Sequence, residues 1–135
     1  MADRPEREPR WLSRRMIDAM HADQLRQHGG SPGVRDDGLV ESALARPKNR
    51  YHYSEAVDLA DLASAYAAGL AKNHGFVDGN KRIGFVALYV CLGLKGLRLT
   101  ATEPEAVRVM TAMAAGMLTG AELATWVRDH VQARG

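Results

Sequence analysis

The chain has 135 residues, of which 46% are hydrophobic and 25% are charged, a balance that fits one globular domain and leaves little room for a second. The net charge is +2 at pH 7 with both signs mixed, which is too weak a bias to indicate direct nucleic-acid binding. A single cysteine, Cys91, excludes an internal disulfide. With neither an apolar leader nor a run long enough to span a bilayer, the chain is expected to be cytoplasmic and not bound to a membrane.

The sequence predicts six helices, four from hydrophobic spacing and two from capping boxes, and the first two end before residue 47. Residues 1–9 carry Pro5 and Pro9 among alternating charges, so we expect a flexible tail ahead of one domain over residues 10–135. Apolar residues at loose helical spacing predict the first helix over residues 11–28, and the turn-forming run GGSPG at 29–33 ends it. A second helix is predicted over residues 38–45, with Pro47 expected to stop it.

A third helix is predicted over residues 57–73, because apolar side chains recur every three or four positions, at Leu59, Leu62, Tyr66 and Leu70. His74 lies four positions after Leu70, so we expect it to continue this inward-facing stripe to a point where the core meets a pocket. The fourth helix is predicted over residues 80–95. Its apolar residues surround the helix axis, so we expect it to be the central, buried helix.

Two more helices are predicted from capping boxes, at Thr102–Glu105 and Thr119–Glu122. Alternating patterns are weak throughout, and the candidates for extended structure are residues 98–100 and a short hairpin near residues 31–36. The predicted fold is therefore all-α: a compact bundle of about six helices around the fourth helix, with one short hairpin.

The densest polar cluster, HGFVDGNKR at residues 74–82, lies directly before the fourth helix. The first N–H groups of a helix lack internal partners and carry partial positive charge, so a phosphate fits there. Gly79 removes side-chain bulk so that the backbone can approach a ligand, and Asn80 is a good N-cap. Lys81 and Arg82 oppose the helix dipole unless an anion is bound, which favours a functional site.

Three other side chains complete this cluster. Asp78 offers a hard oxygen to Mg²⁺, which one carboxylate can hold together with substrate phosphates. His74 can accept a proton from an alcohol near neutral pH, and Phe76 is expected to enter the core and hold the loop rigid. The combination favours phosphoryl or nucleotidyl transfer, although each part alone is commonly structural, as a satisfied helix end, a Gly-Asn turn or a solvated Lys-Arg pair. His21 and His28, seven apart in the first helix, make a poor zinc site without a third ligand.

The cluster resembles the signature of the Fic/Doc family, in its Doc (death-on-curing) branch, whose pattern is His-x-Phe-x-Asp-x-Asn-Lys-Arg. All the fixed positions match, at His74, Phe76, Asp78, Asn80, Lys81 and Arg82. The stretch GVRDDGLVESALARP, residues 33–47, resembles the family's flap and the helix after it. The resemblance covers residues 11–130, and it implies the same all-α fold.

The resemblance also implies roles for these residues. His74 would be the general base that activates a hydroxyl of a target protein, and Asp78 would help to hold Mg²⁺. The phosphates of ATP would bind at Gly79, Asn80, Lys81 and Arg82. A flap would hold a segment of the target as an added strand, and it comprises Gly33, Val34, Arg35 and Asp36.

Lys81 separates two activities within the family. Members that transfer AMP have Gly-Asn-Gly-Arg at these positions, whereas the Doc branch shares the lysine and includes a kinase that phosphorylates elongation factor Tu. The resemblance therefore implies first an ATP-dependent phosphotransferase acting on a Ser or Thr hydroxyl of a translation factor. An AMP transferase is the second alternative, and a non-catalytic binding module of the same fold is the third.

The resemblance further implies a toxin that needs an inhibitor. Self-inhibited members of the family carry a Ser/Thr-x-x-x-Glu element whose glutamate blocks the nucleotide. The glutamates after residue 40 of this chain all lack a Ser or Thr four positions earlier. A separate antitoxin protein, similar to Phd, is therefore the expected partner.

Overall fold

The computed structural model describes residues 8–134, and these residues form six α-helices and two short strands. In chain order the elements are α1 (Arg14–His28), α2 (Asp37–Tyr53), α3 (Leu59–Asn73), α4 (Asn80–Gly93), β1 (Leu97–Leu99), α5 (Glu103–Ala114), α6 (Gly120–Asp129) and β2 (Val131–Ala133). The predicted all-α class is confirmed. Within residues 8–134, none of these helices has the length and apolarity needed to cross a bilayer. Of the tail predicted over residues 1–9, only Glu8 and Pro9 lie in the described part, and Pro9 is buried.

Side chains that accept backbone N–H groups mark the start of most helices. At α3 and α6 the cap is reciprocal, because Asp61 and Glu122 also accept from the backbone of the N-cap residue. The box predicted at Thr102 is half formed: its hydroxyl accepts from the N–H of Glu105 but donates to that residue's carboxylate. Each cap contributes about 1 kcal/mol. The capping residues are Ser13, Asp36, Asp58, Thr102 and Thr119.

The most buried helix is α3, whereas the sequence predicted α4. Eleven of the 15 residues of α3 are buried, against six of the 14 residues of α4. Small residues explain the difference, because alanines and Gly69 let α3 pack against α2, α4, α5 and α6. The contact with α4 is closest at Gly84, where a Cβ would lie 3.0 Å from the carbonyl oxygen of Ala67. This contact fixes the first turns of α4 beside the last turns of α3.

The prediction that Pro47 stops the second helix is wrong, because Pro47 lies inside α2, which continues to Tyr53. A proline inside a helix removes one backbone hydrogen bond and crowds the preceding turn, at a cost of about 3 kcal/mol. Burial beyond the proline offsets this cost. Tyr51 is buried in a cluster with Val57 and Leu62, and its ring meets the edge of Trp11 at a centroid distance of 5.6 Å.

The extended structure is smaller than predicted at one place and larger at another. The strand predicted near residues 98–100 is β1, and it pairs antiparallel with β2, which the sequence did not predict. Residues 31–36 do not form the predicted hairpin: Val34 makes an isolated antiparallel bridge with Phe76 instead. This bridge ties the segment to the loop between α3 and α4, so the flap lies beside the polar cluster.

Candidate active site

His74 is the C-cap of α3 and has a left-handed backbone, with φ 52° and ψ 45°. It is the only non-glycine residue with positive φ among residues 8–134. A left-handed conformation costs a residue with a Cβ about 1–2 kcal/mol. The prediction that His74 continues the buried stripe of α3 is wrong, because the helix ends one residue earlier and the side chain is exposed. The imidazole is therefore accessible from solvent.

Arg35 holds the backbone of His74 from the flap side. Its Nε donates to the carbonyl of His74 at 2.7 Å, and its Nη2 donates to the carbonyl of Asn73 at 3.3 Å. The last carbonyls of a helix lack internal partners and carry partial negative charge, so a guanidinium suits this position. Arg35 was predicted to bind a target segment, and the structure shows that its side chain supports the end of α3.

The flap pairs with the loop through the bridge between Val34 and Phe76. Two backbone hydrogen bonds flank the bridge, Arg35 N to Gly75 O at 2.8 Å and Val77 N to Gly33 O at 3.0 Å. Val34 and Phe76 therefore exchange no hydrogen bond with each other, and the backbone groups of each point away from the pair. Val34 is 40% exposed, so its N–H and C=O form an open edge in the described part of the chain.

Asp36, the last residue of the predicted flap, has a structural role at the start of α2. Its carboxylate accepts from the N–H of Leu39 at 3.1 Å, and its own N–H donates to the carbonyl of Gly75 at 3.0 Å. Gly75 has no space for a side chain, because a Cβ there would lie 2.5 Å from Cγ2 of Val40. The loop, the flap and the start of α2 are thus packed as one unit.

Phe76 is buried, as predicted, and Asn80 secures its backbone. The amide of Asn80 accepts from the N–H of Phe76 at 3.1 Å and donates to its carbonyl at 3.0 Å. The prediction that Asn80 is the N-cap is wrong, since α4 begins at Asn80 and its N-cap is Gly79. Gly79 has φ 75° and provides no side chain to cap the helix. The N–H groups of the first turn of α4 therefore have no side-chain cap.

His21 supports the loop from beneath, and the sequence analysis missed this role. Its buried ring stacks on Phe76 with centroids 3.9 Å apart and 16° between the planes. Its Nε2 lies 2.7 Å from the carbonyl oxygen of Asp78. Because a carbonyl only accepts, Nε2 carries the proton and donates. His21 lies four positions after the buried Ile17 on one face of α1, which was the available signal.

Asp78 presents an exposed carboxylate whose two oxygens each accept a backbone N–H. Oδ2 accepts from Ser31 at 3.1 Å and Oδ1 accepts from Gly79 at 2.8 Å. These two hydrogen bonds, with a smaller contribution from the nearby Arg82, hold the pKa of Asp78 below its usual value. Each oxygen keeps a lone pair that is not used by these bonds. Among residues 8–134, no three His, Cys, Asp or Glu side chains are grouped to hold a metal, so a cation at Asp78 needs oxygens from a substrate or water.

Lys81 and Arg82 lie in the first turn of α4 and line a cleft of about 660 Å³ between α4 and α5. Lys81 is exposed, and it makes no ion pair or side-chain hydrogen bond within the described residues. Arg82 is partly buried and donates to the carbonyl of Gln24 at 3.3 Å. The walls of the cleft are partly apolar, with Phe85 and Val107 among the lining residues. Two of the four predicted phosphate-binding residues, Lys81 and Arg82, thus line a cavity large enough for a small ligand, whereas Gly79 and Asn80 are not among its lining residues.

Comparison with known families identifies the family of the chain. A family model described as the Fic/DOC family matches residues 11–92, which include the flap and the whole polar cluster. The chain belongs to the Fic/DOC family. The family match runs from the start of α1 into α4, so it contains every predicted site residue, while α5 and α6 lie beyond it.

Two curated relatives of the Fic/DOC chain are similar over different lengths. The protein named Protein kinase doc, from Escherichia phage P1, is 28% identical over 119 residues, which are 88% of this chain and 94% of that protein. The protein named Toxin Doc, from Mycolicibacterium smegmatis, is 42% identical over 74 residues, which are 54% of this chain and 57% of that protein. Both names belong to the Doc branch that the polar cluster resembles.

Proposed function

We propose that this Fic/DOC chain is the toxin of a toxin–antitoxin pair and a protein phosphotransferase that uses ATP. One observation carries the proposal: the exposed imidazole of His74 and the uncapped first turn of α4, with Lys81 and Arg82, lie at the two ends of one loop. A base and an anion site held by the same loop suit the attack of a hydroxyl on a phosphate. The names Protein kinase doc and Toxin Doc of the two relatives support the same activity and context.

The proposed reaction is transfer of the γ-phosphoryl group to a Ser or Thr hydroxyl of a translation factor, similar to elongation factor Tu. His74 accepts the hydroxyl proton while the oxygen forms a bond to the γ-phosphorus. The bond between that phosphorus and the β,γ-bridging oxygen breaks, and ADP leaves. The N–H groups of residues 80–82 and the cations of Lys81 and Arg82 bind the phosphate oxygens, where negative charge must be stabilised.

Mg²⁺ is the proposed cofactor, and Asp78 is the residue that would hold it. The fit rests on the exposed carboxylate, its depressed pKa and its free lone pairs. One carboxylate with phosphate oxygens and water is a usual set of ligands for Mg²⁺. When bound, the ion would neutralise part of the phosphate charge.

The proposed target site is the flap, Gly33–Asp36. Its inner edge is paired with the loop, whereas the N–H and C=O of Val34 face outward. An extended segment of a target could therefore pair with Val34 as an added strand. That strand would run beside the loop that carries His74. A separate antitoxin, similar to Phd, is the proposed partner that keeps the toxin inactive.

The decisive experiment measures which phosphorus atom of ATP is transferred to a protein. The purified chain is incubated with a translation lysate and Mg²⁺, and with ATP labelled at either the α- or the γ-phosphorus. Label on a protein from the γ position alone is expected, and label from the α position would show AMP transfer instead. His74→Ala should abolish the label, while His52→Ala, an exposed histidine on α2, serves as the matched control.

Growth arrest tests the toxin role separately. Expression of the wild-type chain without an antitoxin should arrest growth, and His74→Ala should not. If His74→Ala arrests growth as strongly as the wild type, the chain acts as a binding module and the proposed chemistry is wrong. Absence of arrest by the wild type would refute the toxin role while leaving the label experiment to decide on the transfer.

A further inference from the structure

His21 is a buried histidine that the proposed reaction does not use. Its side chain is 5% exposed, and its ring is packed between α1 and the loop. A buried polar ring needs a hydrogen-bond partner, and the partner here is the backbone carbonyl of Asp78 at 2.7 Å. This contact joins two residues that lie 57 positions apart in the chain. The donor of His21 is therefore directed at the peptide between the proposed Mg²⁺ ligand and the N-cap of α4.

The peptide between Asp78 and Gly79 transmits this contact to the carboxylate. A trans peptide is planar, so its C=O and N–H point in opposite directions. Nε2 of His21 keeps the C=O on the core side. The N–H of Gly79 therefore points outward, where it donates to Oδ1 of Asp78 at 2.8 Å. The histidine donor thus bears on the peptide whose N–H holds Oδ1, while the N–H of Ser31 holds Oδ2.

This peptide has a second orientation that the backbone permits. A rotation of about 180° would carry φ of Gly79 from positive to negative values, and glycine adopts both. In the present orientation φ is 75°. The rotated carbonyl oxygen would face the carboxylate of Asp78, and two acceptors repel each other. The carboxylate would then leave its position at the start of α4.

We propose that His21 is a positioning residue that holds the Asp78–Gly79 peptide with its carbonyl toward the core, so that the Asp78 carboxylate stays at the start of α4. The effect on nucleotide binding rests on the proposed function, whereas the effect on the peptide does not. Packing alone would make His21 replaceable by any ring of similar size. Positioning requires a hydrogen-bond donor at Nε2.

Two substitutions separate the ring from the donor. His21→Phe keeps a flat ring against Phe76 but removes the donor. His21→Gln removes the ring but places an amide Nε2 four bonds from Cα, as in histidine, so the donor is retained. His52→Phe makes the same chemical change at an exposed position of α2 and is the control.

The first measurement is the backbone amide signal of Gly79 in nitrogen–proton spectra. We expect His21→Phe to shift this signal strongly, because the N–H loses its carboxylate partner, and His21→Gln to keep it near the wild-type position. The second is the Kd of Mg²⁺–ATP, expected to rise about tenfold in His21→Phe and to stay within about twofold in His21→Gln. An unchanged Gly79 signal in His21→Phe, or equal shifts in the Phe and Gln variants, would overturn the proposal.

One measurement needs no variant. The imidazole nitrogen spectrum of the wild-type chain should show a protonated Nε2 at His21 with slow hydrogen exchange, whereas a bare Nε2 would overturn the proposal even if His21→Phe fails to fold. If the wild type does not bind Mg²⁺–ATP at all, the proposed function fails, but the Gly79 signal still decides on positioning. If the wild type binds and the signals do not change, positioning by His21 fails alone.

Discussion

The left-handed backbone of His74 predicts that removing this residue can stabilise the protein. A residue with a Cβ in this conformation destabilises the folded state by about 1–2 kcal/mol, and glycine avoids that cost. Glycine also gives the unfolded chain more conformational freedom, which lowers the free energy of unfolding by about 0.4–1 kcal/mol. The imidazole is exposed, so its contacts contribute little. We therefore expect His74→Gly to raise the free energy of unfolding by about 0.5–1 kcal/mol, since the first term exceeds the second.

Equilibrium unfolding in urea measures this difference, because the midpoint shifts while the slope stays the same. His74→Ala removes the imidazole but keeps the Cβ, so its stability should match the wild type. Lys72→Gly, at an exposed helical position of α3, should lose about 0.5–1 kcal/mol. Equal stability of His74→Gly and His74→Ala would refute the reasoning, because it would show that the left-handed backbone stores no cost. Both His74 variants should lose the proposed transfer activity.

Two further predictions concern the neighbouring loop. Gly75→Ala should lower the free energy of unfolding, measured in urea, by about 1–3 kcal/mol. The reason is that the added Cβ would lie 2.5 Å from Cγ2 of Val40 and 2.9 Å from its backbone N. Gly120→Ala, which meets nothing within 4 Å, should be neutral or slightly stabilising, and equal losses would contradict this. The second prediction concerns Asp78, whose pKa is lower in the folded state than in the unfolded chain. The ionised carboxylate therefore stabilises the fold fully above its ordinary pKa of about 3.9, and this stabilisation is lost as the pH falls through the lower folded pKa. The amide signal of Gly79 should therefore stay constant from pH 8 to about 5 and change with a midpoint below about 3.9, whereas a midpoint at or above that value would show that the two N–H donors do not hold the carboxylate.

Helix starts were predictable where the signal is local. The box at Thr119–Glu122 forms as expected, because its bonds join residues three apart. Pro47 misled the prediction for the opposite reason. A proline inside a helix is locally unfavourable, but the packing of Tyr51 against Trp11, which is distant in the chain, decides whether the helix continues. A local rule fails where packing between distant segments outweighs it.

The candidate site likewise has a part that the sequence could predict and a part that depends on contacts between distant residues. Residues 74–82 are contiguous, so the pattern brought His74, Asp78 and the start of α4 together without knowledge of the fold. The supports of the loop come from elsewhere: His21 reaches Asp78 across 57 positions and Arg35 reaches His74 across 39. Spacing along the chain cannot indicate such contacts. The side chain of Asn80 was also misassigned, because an asparagine beside a helix start usually caps it.

The contacts explain how a dense polar cluster can lie against an apolar core. Phe76 holds the loop by burying its ring in the core. Asn80 holds it through hydrogen bonds between its side-chain amide and both the N–H and the C=O of Phe76. The side chains of His74 and Lys81, in contrast, are exposed and do not hold the loop in place. Strained or special backbone persists only where its surroundings over-determine it, and here α1, the flap and α4 each contribute a side-chain hydrogen bond to the loop. Two of these supports, His21 and Arg35, lie outside the nine-residue cluster at 74–82, so replacing either of them should weaken the proposed site even when the cluster is intact.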